Sequence, residues 1–405
     1  MVDYRFSRGA SRLQGSAIRE LLRYASQPGM ISLAGGMPQA QLFDVKGLCS
    51  AADAVFAGKA RVALQYGSTE GQESLQSSLA ALVRKRGIVV DPSAIQVTTG
   101  SQQALDLMAR AFVDEGDVVA LQVPTYLAAV QAFDLRGARY VGIPEFGEVR
   151  PKLVYVVSNF ANPTGGTLTM EQRTALLRWA VANQVFVLED DPYGELRFSG
   201  VSLPSLWELA EYIPGARQWC GYISSLSKTV APGLRIGWAI LPPAVRDTVC
   251  RIKQALDLHT SSFAQEIAAH YLDTGQLEER LSIARLTYAE QCAALAAALR
   301  ETFGDELSFS VPDGGMFLWC RFREPVDTAA LLIHARERGV IFVPGAVFYP
   351  EDGDRSTLRL SFSTVSPQDL REGVRRLAQA LERYRFLGRA HQEAGAAHLA
   401  ARAEA

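Results

Sequence analysis

Between residues 90 and 240, short apolar runs alternate with stretches of helical periodicity, and this alternation constrains the chain more than any other feature. The runs are IQVTT (95–99), VVALQV (118–123), LVYVVS (153–158), VFVLED (185–190), CGYISS (220–225) and IGWAIL (236–241). Strands that are apolar on both faces belong in a sheet covered by helices. The alternation therefore predicts an α/β fold, in which a large domain carries a mostly parallel mixed sheet. Beyond residue 245 the pattern turns helical and rich in Ala, Leu and Arg, with strand-like segments near 308–322 and 340–363. That change predicts a smaller α+β domain. The expected division is 1–45 as an N-terminal segment, 46–290 as the large domain and 291–405 as the small one. From about residue 388 the chain is Ala-rich without a clear apolar face, as in a frayed helix or tail.

In open α/β sheets, ligands sit beyond the carboxyl ends of the strands. The residues that follow the runs are GSQQ (100–103), PTY (124–126), NPTG (162–165), DDPY (190–193) and SLSK (225–228). Five polar or glycine-rich strand ends converging on one crevice predict a composite site.

Composition narrows the partners. The formal net charge is −2, with no basic stripe or acidic block, so nothing points to nucleic acid. Cys49, Cys220, Cys250, Cys292 and Cys320 are scattered and odd in number, as expected of a reduced, cytoplasmic protein with free thiols. No His/Cys cluster has metal-ligand spacing, and no metal is expected. No signal peptide is visible at the start, and no apolar run approaches the roughly 20 residues that cross a membrane.

Lys228 closes an apolar strand and follows two serines, whereas a lysine is ordinarily a solvated surface residue. A lysine that condenses with an aldehyde needs its amine neutral, and partial burial or nearby cations provide that. Ser225, Ser227 and Arg235 can bind a phosphate, with Pro232-Gly233 turning the chain so that Arg235 returns to the same place. Ser101 opens a helix after a strand and is either a plain N-cap or part of a phosphate site at the helix N-terminus. Ala104, Leu105, Met108, Ala111 and Phe112 are its expected buried stripe. Asp190 ends its strand and can face a pyridine nitrogen, with Glu189 and Asp191 as adjacent alternatives. Tyr193 and the amide of Asn162 can each bond a phenolic oxygen. Tyr126 is either a core residue or a stacking ring. Arg359 sits inside an apolar alternating strand, paired either with an internal carboxylate or with a substrate carboxylate. Residues 16–26 read as a short amphipathic helix, with Arg19 and Arg23 on its polar face as salt-bridge formers or as an anion site.

The set SLSKTVAPGLRIGW, NPTGG, EDDPYGELRF, LQYGSTEGQESL and LRLSFS resembles class I/II aminotransferases of fold type I, which use pyridoxal 5'-phosphate (PLP). The likeness is greatest to the 2-aminoadipate and kynurenine aminotransferase subgroup and covers nearly the whole chain, including SAIRELLRYASQPGMISLAGGMP. It implies that Lys228 is the catalytic lysine and holds the cofactor covalently. It implies that Asp190 pairs with the pyridine nitrogen and that Tyr193 and Asn162 bind the phenolic oxygen. By the same resemblance Ser101, Gln102, Ser225, Ser227 and Arg235 hold the phosphate, and Tyr126 stacks on the ring. Tyr66 resembles the tyrosine that reaches the phosphate of a neighbouring subunit, which implies a homodimer with shared sites. Arg359 resembles the clamp for the substrate α-carboxylate, and Asn162 is implied to bind substrate as well. Arg19 and the Gly35-Gly36 turn resemble the front segment that contacts the substrate side chain.

The implied reaction moves an amino group from an L-amino acid to a 2-oxo acid such as 2-oxoglutarate. 2-Aminoadipate, glutamate, aromatic and branched-chain donors all stay open. One departure is the short GIPEFGEVRP between Val141 and Lys152, where the family has a longer excursion. Two other readings compete: a PLP lyase or decarboxylase on the same fold, and a PLP-binding effector domain of a transcription regulator.

Overall fold

A strand whose side chains are buried on both faces can only lie inside a sheet with cover on either side, and the strands at 153–157 and 186–190 are buried at every position. The computed structural model describes residues 4–13, 15, 21, 23–143 and 149–403, and for 388–403 the backbone alone. Of the helix expected at 16–26, only Leu21 and residues 23–25 are described as helical, and Arg19 lies outside the described residues. So do residues 144–148 of the shortened segment.

Seven strands form one sheet: β1 (Ile95–Thr98), β2 (Val118–Leu121), β3 (Arg139–Gly142), β4 (Leu153–Val157), β5 (Phe186–Asp190), β6 (Cys220–Ser225) and β7 (Gly237–Ile240). Their order is β1-β7-β6-β5-β4-β2-β3. The pairs β6–β5, β5–β4, β4–β2 and β2–β3 are parallel, while β7 runs antiparallel to both β1 and β6. All six apolar runs are strands. The seventh, β3, has the sequence RYVG and lies at the sheet edge with Arg139 exposed. An edge strand needs no continuous apolar run, so this one is silent in the hydrophobic pattern.

Because β7 opposes both its neighbours, β1 points the same way as β6. The carboxyl ends of β1, β2, β4, β5 and β6 therefore share one edge of the sheet. The helix Ser101–Phe112 leaves β1 at that edge and buries Ala104, Leu105, Leu107, Met108 and Ala109. Its buried face takes in Leu107 and Ala109 beyond the expected stripe, while Ala111 and Phe112 are only partly covered.

The chain divides into two units. One comprises 1–14, 37–288 and 312–315 and holds the large sheet; the other comprises 15–36, 289–311 and 316–405. The second holds the antiparallel strands β8 (Leu307–Phe309), β9 (Phe317–Phe322), β10 (Val343–Pro344) and β11 (Thr357–Ser361), in the order β10-β11-β9-β8. In the same unit Ile31–Ser32 pairs in parallel with Val340–Ile341. The helix Thr328–Glu337 packs on the long helix Pro367–Ala403. All five cysteines are free thiols, three of them buried. No described helix is long and apolar enough to cross a membrane.

One close approach holds the β1–β7 edge. Thr98 pairs with Gly237, which brings the backbone of Gly100 and Ser101 directly over that glycine. A Cβ at Gly237 would lie 2.6 Å from the Gly100 carbonyl carbon and 2.7 Å from Ser101 N. Backbone cannot swing aside as a flexible side chain can. Gly237→Ala is expected to lose about 1–3 kcal/mol by overpacking, read as a lower urea midpoint; an unchanged midpoint would contradict this reading.

Candidate active site

Three consecutive carboxylates end β5, and the pleat divides them. Side chains alternate between faces along a strand, so Glu189 and Asp191 leave on one side and Asp190 on the other. Each has a separate set of partners.

On the first face every carboxylate oxygen is taken. Glu189 Oε1 accepts from the Ser158 hydroxyl at 2.5 Å, and Oε2 accepts from the Trp207 amide at 3.2 Å. The buried Arg173 guanidinium lies 3.9 Å from Glu189 and donates to the carbonyls of Ser158, Leu168 and Pro204 and to Asn159 Oδ1. Asp191 Oδ1 accepts from Asn159 and from the Gly194 amide, both at 3.0 Å. Its Oδ2 accepts from Arg86 and from the Tyr222 hydroxyl. Burial with such complete satisfaction is the condition under which charge is tolerated in a core.

Asp190 differs. Tyr155 donates its hydroxyl to Asp190 Oδ2 at 2.8 Å, and Oδ1 is buried with no hydrogen-bond partner. Burial pushes its carboxyl up to about 7, against the lowering effect of the Tyr155 hydrogen bond. A buried acceptor left open is costly and is free to receive a donor.

A second cluster lies where β1, β6 and β7 meet. Gly100 holds the cap position of the Ser101 helix at φ 76°, so Ser101 is the first helical residue rather than the cap. The plain N-cap reading of Ser101 therefore fails, because Gly100 occupies that place. A Cβ at Gly100 would run into the Arg235 guanidinium, and the φ of 76° there is a conformation that favours glycine. Arg235 itself adopts left-handed backbone at φ 54°, a conformation uncommon outside glycine. Its Nη1 donates to the Pro232 carbonyl at 3.2 Å and to Ser227 Oγ at 3.5 Å, and Nη2 donates to the Thr99 carbonyl at 3.4 Å. Ser225 Oγ accepts from the Ser227 amide at 3.0 Å. A guanidinium, serine hydroxyls and a helix N-terminus thus share one place, a donor set suited to a phosphate.

Lys228, Tyr193, Asn162, Tyr126 and Gln102 follow the carboxyl ends of β6, β5, β4, β2 and β1. Lys228 Nζ stands 6.0 Å from the centroid of the Tyr193 ring. Tyr193 and Asn162 are buried, at 5% and 6% exposure. Tyr126 is half-buried at the start of the helix Leu127–Asp134. Gln102 is exposed and donates to the Ala128 carbonyl at 3.1 Å. Tyr66 is 78% exposed and meets the His259 ring edge-on at 5.7 Å.

In the second unit Arg359 is 1% exposed, and its Nη2 donates to the Ala34 carbonyl at 2.6 Å. Its guanidinium lies 4.3 Å from the Phe317 ring and 4.9 Å from the Phe348 ring. Gly36 packs against the Phe317 ring, where a Cβ would collide with it. No group able to hold a metal ion occurs among the described residues.

Local sequence reading misses Tyr155, Arg86 and Arg173. Tyr155 lies inside the run LVYVV and looks like core. Its one signal is position: Val157 pairs with Asp190, so Tyr155, two residues earlier, projects from the same face.

The model of the family "Aminotransferase class I and II" matches residues 30–377. The 2-aminoadipate transaminase of Thermus thermophilus is 38% identical, over 93% of this chain and 96% of its own. The crystal structure of an alpha-aminoadipate aminotransferase from Thermus thermophilus, complexed with N-(5'-phosphopyridoxyl)-L-leucine, superposes with a TM-score of 0.86. It is 38% identical, and the match covers 94% of this chain and 98% of that one. A Pyrococcus horikoshii kynurenine aminotransferase, in complex with PMP, gives a TM-score of 0.87 at 35% identity, covering 93% and 97%. The chain therefore belongs to the class I and II aminotransferases. It is a PLP-dependent enzyme of fold type I.

The state of Asp190 has a consequence for stability before any cofactor binds. Its folded pKa, about 7, exceeds the ordinary 3.8. Between those values the folded chain carries a proton that the unfolded chain has lost, so stability falls as pH rises through this window and levels off above it. The full loss is about 4 kcal/mol. Cofactor-free protein is expected to lose stability between about pH 5 and about pH 8 relative to Asp190→Asn, which has no such proton. Parallel denaturation curves for the two proteins at both pH values would contradict this.

Proposed function

We propose that this chain transfers the amino group of an L-amino acid to 2-oxoglutarate, with Lys228 as the catalytic lysine and cofactor anchor. The donors are 2-aminoadipate and aromatic amino acids, in keeping with the names of its relatives. The observation that carries the site is the buried, unpartnered Oδ1 of Asp190, an acceptor that supports pairing with a protonated ring nitrogen. Ser101, Gln102, Ser225, Ser227 and Arg235 take the phosphate. Asn162 and Tyr193 take the phenolic oxygen, and Tyr126 stacks on the ring. Bound PLP supplies an electron sink for the pair left when a bond at the substrate Cα breaks.

The chain's own residues do the rest. Lys228 Nζ takes the proton from the substrate Cα and holds it for return, acting as base and then acid. Arg359 takes the α-carboxylate, and its planar guanidinium is held for a two-point grip by the rings of Phe317 and Phe348. A fixed carboxylate fixes the direction of the Cα–H bond. Gly36 and Arg19 lie along the chain segment proposed to meet the substrate side chain. Tyr66 completes the phosphate site of a second copy in a homodimer. Its exposure, together with that of Phe56, Val62 and Leu64, supports that reading. A monomer in sedimentation at assay concentration would overturn the dimer.

Lys228→Ala is expected to abolish covalent attachment of the cofactor and to slow Cα–H cleavage by at least about 10²–10⁴-fold, followed by single-turnover absorbance with each donor. Retained transamination would refute the assignment. Release of ammonia or carbon dioxide without amino transfer would instead favour a lyase or decarboxylase. Arg359→Lys, which cannot grip bidentately, is expected to raise the donor KM about tenfold or more; an unchanged KM would remove Arg359 from substrate binding.

A further inference from the structure

The pleat that separates the three carboxylates also selects the partner of Asp190. Tyr155 and Asp190 are 1% and 2% exposed, and the Tyr155 hydroxyl donates to Oδ2 at 2.8 Å. The phenol ring is itself braced by Phe133, which meets it edge-on at 6.2 Å between centroids. Burial raises the Tyr155 hydroxyl far above its usual range, so it stays a proton donor throughout the working range.

We propose that Tyr155 is a positioning residue for the reaction: its hydroxyl holds Asp190 ionised and turned so that Oδ1 faces the cofactor ring nitrogen. This rests on the reading of Asp190 given above. A carboxylate with one oxygen satisfied by a neutral donor keeps its charge more readily than a bare one. Without that donor, Asp190 drifts towards the neutral acid. A neutral acid donates a proton in its hydrogen bond rather than accepting one, and the ring nitrogen then loses its own. The other titratable groups near the pair are Glu189 and Asp191 around Asp190, and Tyr126 and Tyr193 around Tyr155. Glu189 and Asp191 are satisfied on the opposite face by Ser158, Arg86 and Asn159. Tyr155, which bonds Oδ2, can thus tune Asp190 from its own side of the sheet.

The test uses holoenzyme carrying PLP labelled with nitrogen-15 in the ring, whose resonance reports directly whether that nitrogen is protonated. In the parent the resonance is expected at the protonated position. Tyr155→Phe, which removes one oxygen atom and keeps the ring, is expected to move it towards the unprotonated position. It should also weaken cofactor retention by about ten- to hundredfold, the range for a hydrogen bond to a charged group. Asp190→Asn serves as the reference. If Asp190→Asn leaves the resonance in place, Asp190 does not face the nitrogen and both readings fall. If Asp190→Asn moves it and Tyr155→Phe does not, only the role of Tyr155 is overturned. Should Tyr155→Phe not fold, 3-fluorotyrosine installed at Tyr155 decides. It is the more acidic phenol and the stronger donor, and is expected to keep the nitrogen protonated to higher pH; a titration identical to the parent overturns the proposal.

Discussion

The site depends on the two-residue period of a single strand. At the end of β5 that period sends Glu189 and Asp191 into a closed network of arginines, amides and hydroxyls, and sends Asp190 the other way. Without the alternation, three adjacent negative charges would share one buried volume. With it, two are held in that network and the third keeps one oxygen open. Arg173 and Arg86 belong to that network on the opposite face. Arg86 pairs with Asp191 and Arg173 ties Ser158 and Asn159, which in turn bond Glu189 and Asp191, so neither arginine takes the open oxygen of Asp190.

A second dependence runs through backbone packing. Gly237 allows the Gly100–Ser101 turn to lie on the start of β7, and Gly100 allows the Arg235 side chain to lie against the same turn. Arg235 then ties the ends of these strands together by reaching Thr99, Ser227 and Pro232. Its left-handed backbone is what aims the side chain back at β1. The proposed phosphate cradle is thus a by-product of how closely β1 and β7 approach.

Much of this is legible in the sequence, and physical reasons separate what is from what is not. Six strands are visible because interior strands are apolar on both faces, and the strand-end rule then gathers Ser101, Asn162, Asp190, Tyr193 and Lys228 at one edge. β3 is invisible because an edge strand has one side in solvent. Local reading cannot choose among Glu189, Asp190 and Asp191, since all three are acidic and adjacent; resemblance chooses Asp190, and in the fold the three carboxylates have separate partners. Tyr155 is hidden because a tyrosine in an apolar run is ordinarily core, and only strand register shows which carboxylate it meets. Arg86 and Arg173 sit on or just beyond helices, where an arginine is normally solvated, and nothing in their neighbours announces burial.

Under the proposed pairing of Asp190 with the ring nitrogen, its open oxygen also bears on how the protein captures its cofactor. Below about neutral pH the folded chain already carries a proton on this carboxyl. A ring that needs a protonated nitrogen can then acquire its proton from within the site, with no net exchange with water. In more alkaline solution the proton must be drawn from solvent as the cofactor docks, and capture becomes a proton-consuming event. Cofactor loading and solution acidity are in this way coupled through one side chain, long before any amino acid arrives.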